Sequence, residues 1–359
     1  MNALSKPAAR ATAFCERFGL RVPVLLAPMA GVPAPALSAA VASAGGLGAC
    51  GALLMAPDAI HAWVADVRGR SNGAFQLNLW IPDPPPVRDL VHEAAVRAFL
   101  GRFGPEVPAS AADATPLDFA SQCEALLAVA PPIVSSIMGL YPPDFVAAMK
   151  ARGIAWFATV TTVAEARAAE AAGADAVVAQ GMEAGGHRGR FDAGRAERDA
   201  VGLFALLPAV AAAVGVPVVA AGGIGNAPGV AAALVLGASA VQIGTGFLRS
   251  PEAGLNAAWS AGLAVAQPED TMLTRAFSGR TGRSIATEYA IAAAAPGAPL
   301  PAPYPVQRAL TQAMRNAAAE AGDLRRMQAW AGQSAALARA EPAATIVRTL
   351  WDGARAMLA

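Results

Sequence analysis

Charge is scarce in this chain. Only 15% of the 359 residues are charged, and Lys6 and Lys150 are the only lysines. Twenty-seven basic residues face 26 acidic ones, so the formal net charge is +1, with no block of either sign. That balance argues against a nucleic-acid-binding stripe and against attachment to an anionic membrane surface. Cysteine is equally sparse. Cys15, Cys50 and Cys123 lie far apart without metal-ligand spacing, which removes a disulfide framework and a zinc site from consideration and suits a reducing cytoplasm. The N-terminal stretch MNALSKPAARATAFCERFGL has no continuous apolar run of the kind that marks a secretory leader.

What the chain has is apolar residues, at 55%, together with 35 glycines and 28 prolines. This composition supports a large packed core. No charge occurs between Asp199 and Arg249, but Pro208, Pro217 and Pro228 cut that stretch into pieces. Each piece is shorter than the ~20 residues a membrane-spanning helix needs. A buried strand–helix–strand unit accounts for it.

Short apolar runs alternate with helix-like segments along most of the chain. Strands are expected at 22–29, 46–52, 75–80, 133–139, 154–160, 176–181, 217–223 and 240–245. They read as apolar on both faces, as strands of a parallel sheet covered by helices do. Helices are expected at 34–44, 57–68, 118–130, 142–152, 163–172, 202–213 and 227–236. Thr162 is a natural N-cap for the segment VAEARAAEAAG, and Gly173 a natural stop. Eight strands in strict alternation with helices favour an α/β fold of the (β/α)8 TIM barrel type over an open doubly wound sheet.

Two segments fall outside the repeat. The proline-rich stretch 82–116 reads as an insertion after the third strand, carrying one amphipathic helix. From residue 263 the chain reads as helical, apart from the proline-rich APGAPLPAPYP. The expected organisation is a barrel over 1–262 and a smaller, mostly helical region over 263–359 that covers the mouth. An amphipathic helix near 342–358 would return to the barrel.

Active sites of such barrels lie at the C-terminal strand ends. Here those ends carry Ala27-Pro28-Met29-Ala30-Gly31, Asn78, Gly139, Thr159, Thr161, Gln180, Ala221-Gly222-Gly223 and Gln242-Ile243-Gly244-Thr245. These are amides, hydroxyls and glycines with almost no charge, a rim suited to a polar cofactor and not to a metal. After the sixth strand comes VVAQGMEAGGHRGRF, in which Gly185 and Gly186 precede His187. A glycine-rich loop bearing one imidazole at a strand end is an active-site layout, because glycine admits close backbone approach to a ligand. His61 and His92 fall on helical segments and read as solvent-facing. Glycine-rich loops after strands seven and eight occupy the phosphate positions of many barrels. A Rossmann fingerprint is absent, since Gly222-Gly223-Ile224-Gly225 lacks its spacing.

LLAPMAG, AVASAGGLGACG, FQLNLW, VVAQGMEAGGHRGRF, PVVAAGGI and GASAVQIGTGFL together resemble the nitronate monooxygenases, FMN-dependent barrels formerly called 2-nitropropane dioxygenases. FSGRTGRSIATEY and AWAGQSAALAR extend the resemblance over essentially the whole chain. It implies FMN contacts at Ala27, Pro28, Met29, Asn78, Gln180, Gly185 and Gly186. It places the phosphate on Gly222, Gly223 and the run Gln242, Ile243, Gly244, Thr245, and makes His187 the catalytic base. The implied reaction takes an alkyl nitronate and molecular oxygen to a carbonyl compound and nitrite. Nitroalkanes would enter after loss of a proton, a step suited to histidine. After strand four, where nitronate-specific members often carry Phe-His-Phe-Gly, this chain has Ser136-Ile137-Met138-Gly139. Ile137 and Met138 are therefore the expected substrate-pocket residues. An FMN-dependent NAD(P)H:quinone reductase or enoyl-thioester reductase is the nearest alternative on the same scaffold. A non-catalytic binder of a phosphorylated metabolite is the alternative of another class.

Overall fold

The computed structural model describes residues 6–113 and 115–359. The start of the N-terminal stretch and Ala114 of the insertion thus lie outside the described residues. Six strands open the chain: β1 (Val24–Leu26), β2 (Gly48–Gly51), β3 (Phe75–Trp80), β4 (Ile133–Ile137), β5 (Ala155–Val160) and β6 (Ala176–Gln180). The two-residue β7 (Gly186–His187), then β8 (Val218–Ala221) and β9 (Ala240–Ile243), follow. All but β7 form one eight-stranded parallel sheet in the order β1-β9-β8-β6-β5-β4-β3-β2. Leu47 closes it into a ring. Its N–H donates to the Val24 carbonyl at 3.2 Å, and its own carbonyl accepts from Leu26 N–H at 2.8 Å.

Each of the eight expected strands contains one of these barrel strands. They are buried on both faces because helices pack outside while side chains fill the ring. Helix starts follow the local chemistry. Asp118, Thr162 and Asn226 accept hydrogen bonds from the backbone N–H groups of Ser121, Glu165 and Gly229, so each first turn gains a partner. The helix Pro7–Phe18 plugs the bottom of the barrel. Phe18 meets Phe157 of β5 edge-on at 4.7 Å, and Phe14 packs beside both.

The chain leaves the barrel after β9 and returns with its final helix, Ala343–Leu358, whose Ile346, Val347 and Leu350 join the main core. That helix is the eighth of the barrel, so the covering region is inserted between the last strand and the last helix. The boundary expected at 262/263 falls inside the helix Ala257–Val265.

The covering region is not helical throughout. β10 (Thr271–Thr274) and β11 (Gly282–Ile285) pair antiparallel, and β11 pairs with β7, aligning Gly282 with His187. These strands are only four residues long and rich in Thr, Ser and Arg, so no apolar alternation announced them. The insertion joins the cover. Val96, Leu100 and Phe103 share a second core with Phe277, Tyr289 and Val306. His61 is exposed, as expected. His92 is half-buried instead, and a ring nitrogen lies 2.7 Å from the Leu300 carbonyl, tying insertion to cover. Among the described residues, no helix is long and apolar enough to cross a membrane.

Candidate active site

A cavity of about 790 Å³ lies between the C-terminal strand ends and the cover. Ala27, Pro28, Met29, Asn78, Ile137, Gln180, Gly185, Gly186, His187, Gly222, Gly223, Gln242, Ile243, Gly244 and Thr245 all line it. Met138 does not. It stands in the left-handed region at φ 70° and its side chain is buried away from the cavity, so its place in the substrate pocket is withdrawn. Gly139 and Thr161 also fall outside the lining, Thr161 being held by the Glu165 carboxylate.

At one end the glycine loops expose backbone donors. The N–H groups of Gly222, Gly223, Gly244 and Thr245 donate to no acceptor among the described residues. Gly222 and Gly223 adopt φ of 112° and 69°, a backbone that glycine allows and L side chains rarely adopt. Thr245 Oγ1 accepts from Gly332 N–H at 3.0 Å, leaving its own proton to donate. The segment Gly332 to Leu337 seals this end: a Cβ on Gly225 would stand 2.9 Å from Leu337 Cβ.

Farther along, Asn78 Nδ2 donates to Ser135 Oγ at 3.0 Å, leaving its carbonyl oxygen toward a ligand. Gln76 Nε2 donates to Gln242 Oε1 at 3.2 Å, which leaves the Gln242 amide nitrogen available in the same way. Gln180 is used differently from what its position suggests. Its Nε2 donates to the His187 carbonyl at 3.0 Å, and its Oε1 accepts from Gly189 N–H at 2.8 Å. Its amide pins the loop that carries the imidazole. The guanidinium groups of Arg188 and Arg283 brace the same loop from behind, donating to the carbonyls of Gln180 and Met182.

The His187 ring stands edge-on between two indoles, with centroids 4.6 Å from Trp80 and 4.7 Å from Trp330. Nε2 lies 2.7 Å from Ser278 Oγ. The residue keeps some open surface on the cavity side but is otherwise enclosed. Burial, reinforced by the positive charges of Arg308, Arg280 and Arg315, lowers its pKa to about 3. The imidazole is therefore neutral throughout the physiological range.

Trp80, Arg308, Arg315, Trp330 and Gly332 also line the cavity, and none of them had an expected role in the site. Trp80 had a detectable signal, as the last residue of an expected barrel strand. The others come from the cover, more than a hundred residues from His187 in sequence; Trp330 and Gly332 fall within AWAGQSAALAR, while no local pattern marks Arg308 or Arg315. Fold and site together define a (β/α)8-barrel enzyme that works on a small molecule in a lidded cavity.

A model of the nitronate monooxygenase family matches residues 12–353. A nitronate monooxygenase of Pseudomonas aeruginosa is 41% identical over 347 residues, covering 95% of this chain and 99% of that one. Among solved structures, a nitroalkane oxidase from Streptomyces ansochromogenes is 37% identical, with a TM-score of 0.86 over 95% of this chain and 98% of its own. FabK from Thermotoga maritima is more distant, at 26% identity and a TM-score of 0.72 over 96% of each chain. The chain belongs to the nitronate monooxygenase family and is an oxidoreductase.

Proposed function

We propose that this enzyme oxidises alkyl nitronates with molecular oxygen to a carbonyl compound and nitrite, and that FMN is its prosthetic group. The observation that carries the anionic-substrate reading is Arg308. Its guanidinium lines the cavity, donates to no acceptor among the described residues, and acts on His187 through its charge. A half-buried cation without a carboxylate partner is costly unless an anion arrives to share the site. A nitronate is such an anion.

The unpaired N–H groups of Gly222, Gly223, Gly244 and Thr245 offer a phosphate monoester the donors it needs, at an end where Leu337 packs against Gly225. The Asn78 oxygen and the Gln242 amide nitrogen offer an acceptor and a donor to the ring system. When bound, the flavin supplies one-electron transfer from the nitronate to oxygen. Arg308 draws in and orients the anion, while Trp80 and Trp330 shield it from water. For a neutral nitroalkane, the proton α to the nitro group passes to His187. The cations that disfavour the imidazolium favour the nitronate formed beside it. Because that proton transfer runs against a low imidazole pKa, the preformed nitronate is the better substrate.

Ethyl nitronate given to the purified protein should cause oxygen uptake and nitrite release. Arg308→Met should raise KM about 10- to 100-fold with flavin content unchanged, the loss expected for a hydrogen bond to a charged group. Anaerobic bleaching of the flavin by NADH or NADPH, with no turnover of nitronate, would replace this reading with the reductase alternative.

A further inference from the structure

His187 Nε2 reaches Ser278 Oγ, and that hydroxyl has two further neighbours. The Arg280 carbonyl lies at 3.1 Å and the Arg280 N–H at 3.4 Å. Three contacts around one hydroxyl can be given protons in only two ways. If Ser278 donates to Nε2, the oxygen–oxygen contact with the Arg280 carbonyl holds no proton. If Ser278 donates to that carbonyl, Nε2–H and Arg280 N–H both donate to Oγ and every contact is satisfied. The second arrangement makes His187 the Nε2–H tautomer. Nδ1 then carries the lone pair, and no described residue hydrogen-bonds to it.

The arrangement depends on where the Arg280 backbone is held. The Arg280 side chain is buried and forked onto Asp83, with Nε donating to Oδ2 at 2.7 Å and Nη2 to Oδ1. Nη1 donates to the Arg190 carbonyl at 3.0 Å. Asp83 lies just beyond β3, Arg190 on the loop after β7, and Arg280 on the turn between β10 and β11. One guanidinium thus fastens three separate segments around the imidazole.

We propose that Asp83 and Arg280 are positioning residues that act through Ser278 to hold His187 as the Nε2–H tautomer, leaving Nδ1 to accept the substrate proton. The role of Nδ1 rests on the function proposed above; the tautomer does not. Other charged and titratable groups face the ring or its loop without making this contact. From the cover, Arg308 and Arg315 act on the imidazole by charge alone, and the Tyr304 ring packs at a tilt against Trp80. From the barrel, Arg188 and Arg283 are turned to carbonyls and Glu183 to the Leu203 N–H. Of the three arginines that act on the ring, only Arg280 is paired with a carboxylate.

The test is ¹⁵N NMR of the FMN-loaded enzyme labelled at histidine. The chain has three histidines, so the resonances missing from His187→Asn identify this ring. At neutral pH the wild type should show a protonated Nε2 and a bare Nδ1; the opposite pattern overturns the proposal whatever the enzyme's activity. Asp83→Asn should mix the tautomers and lower kcat on a neutral nitroalkane by about 10- to 100-fold, as small misplacements of a reacting group do. The same variant should change KM for preformed nitronate little, and Asp83→Glu should restore the tautomer in part. A pure Nε2–H signal in Asp83→Asn removes Asp83 from the role. If Asp83→Asn does not fold, Ser278→Ala serves instead, and an unchanged tautomer there overturns the proposal equally. A correct tautomer in an enzyme inactive on nitroalkane and nitronate alike would count against the proposed function and leave the positioning intact.

Discussion

Gly185 and Gly332 meet backbone to backbone. A Cβ added to Gly185 would stand 2.5 Å from Gly332 N and 2.9 Å from Thr245 Oγ1. Two loops more than a hundred residues apart thus close over the donors that end the cavity, and neither position has room for a side chain. Gly185→Ala should push the 329–334 segment outward and weaken the Gly332-to-Thr245 hydrogen bond. Overpacking of this kind costs about 1–3 kcal/mol. The variant should melt at a lower temperature and lose flavin on gel filtration. Unchanged melting and full flavin retention would mean that the cover does not close this end.

Gly223→Glu tests the proposed phosphate site directly. The residue sits at φ 69°, and an added side chain would start beside Glu183, 3.3 Å from its Cβ. A second carboxylate there repels a phosphate and leaves two like charges close together. The variant should purify colourless, and denaturing release followed by chromatography should show FMN from the wild type alone. Recovery of FAD from the wild type would overturn the FMN assignment.

His187 gives two linked expectations. His187→Asn should retain flavin yet lose about 10²- to 10⁴-fold in turnover of a neutral nitroalkane, with a much smaller loss on preformed nitronate. Equal losses on both would assign the ring to positioning. The lowered pKa also sets a pH dependence of stability. Between the unfolded value near 6.5 and the folded value of about 3, the unfolded chain binds a proton that the folded one does not. The stability contributed by the neutral ring is therefore complete above about pH 6.5 and falls away as the solution is acidified toward pH 3. Urea titrations at pH 7.5 and 5 should show a smaller loss for His187→Asn than for the wild type. Identical losses would mean that the ring titrates normally.

Ile137 lines the cavity and lies under the His187 loop, where a Cβ on Gly189 would stand 3.2 Å from its Cγ1. Ile137→His should alter the relative rates on nitronates of different chain length without changing flavin content. Met138, buried outside the cavity, should tolerate exchange for leucine with no change in that ranking. A specificity change in the Met138 variant and none in the Ile137 variant would reverse the assignment.

The barrel was legible because each of its elements is a local event. Apolar runs such as 176–180 end at a glycine, and caps such as Thr162 lie one residue before the helices they start. The same locality exposed the rim, since a residue at the end of a barrel strand must face the mouth. It also made the His187 loop and the paired glycine loops recognisable. What a residue does at the mouth was another matter. Gln180 faces the cavity, yet only the fold shows its amide spent on the His187 loop. Met138 follows Ile137 directly, but a left-handed turn sends the two side chains to different places. His92 reads as a surface histidine until Leu300 arrives from the far side of the chain. Arg308 and Asp83 left no local trace, because their roles arise from contacts across some hundred and twenty to two hundred residues. Periodicity and caps fix short-range geometry, and so the sequence by itself determined the barrel and its rim. The lid, the depressed histidine and the arginines around it depend on burial and on charges brought together by long-range packing, and only the tertiary structure decided them.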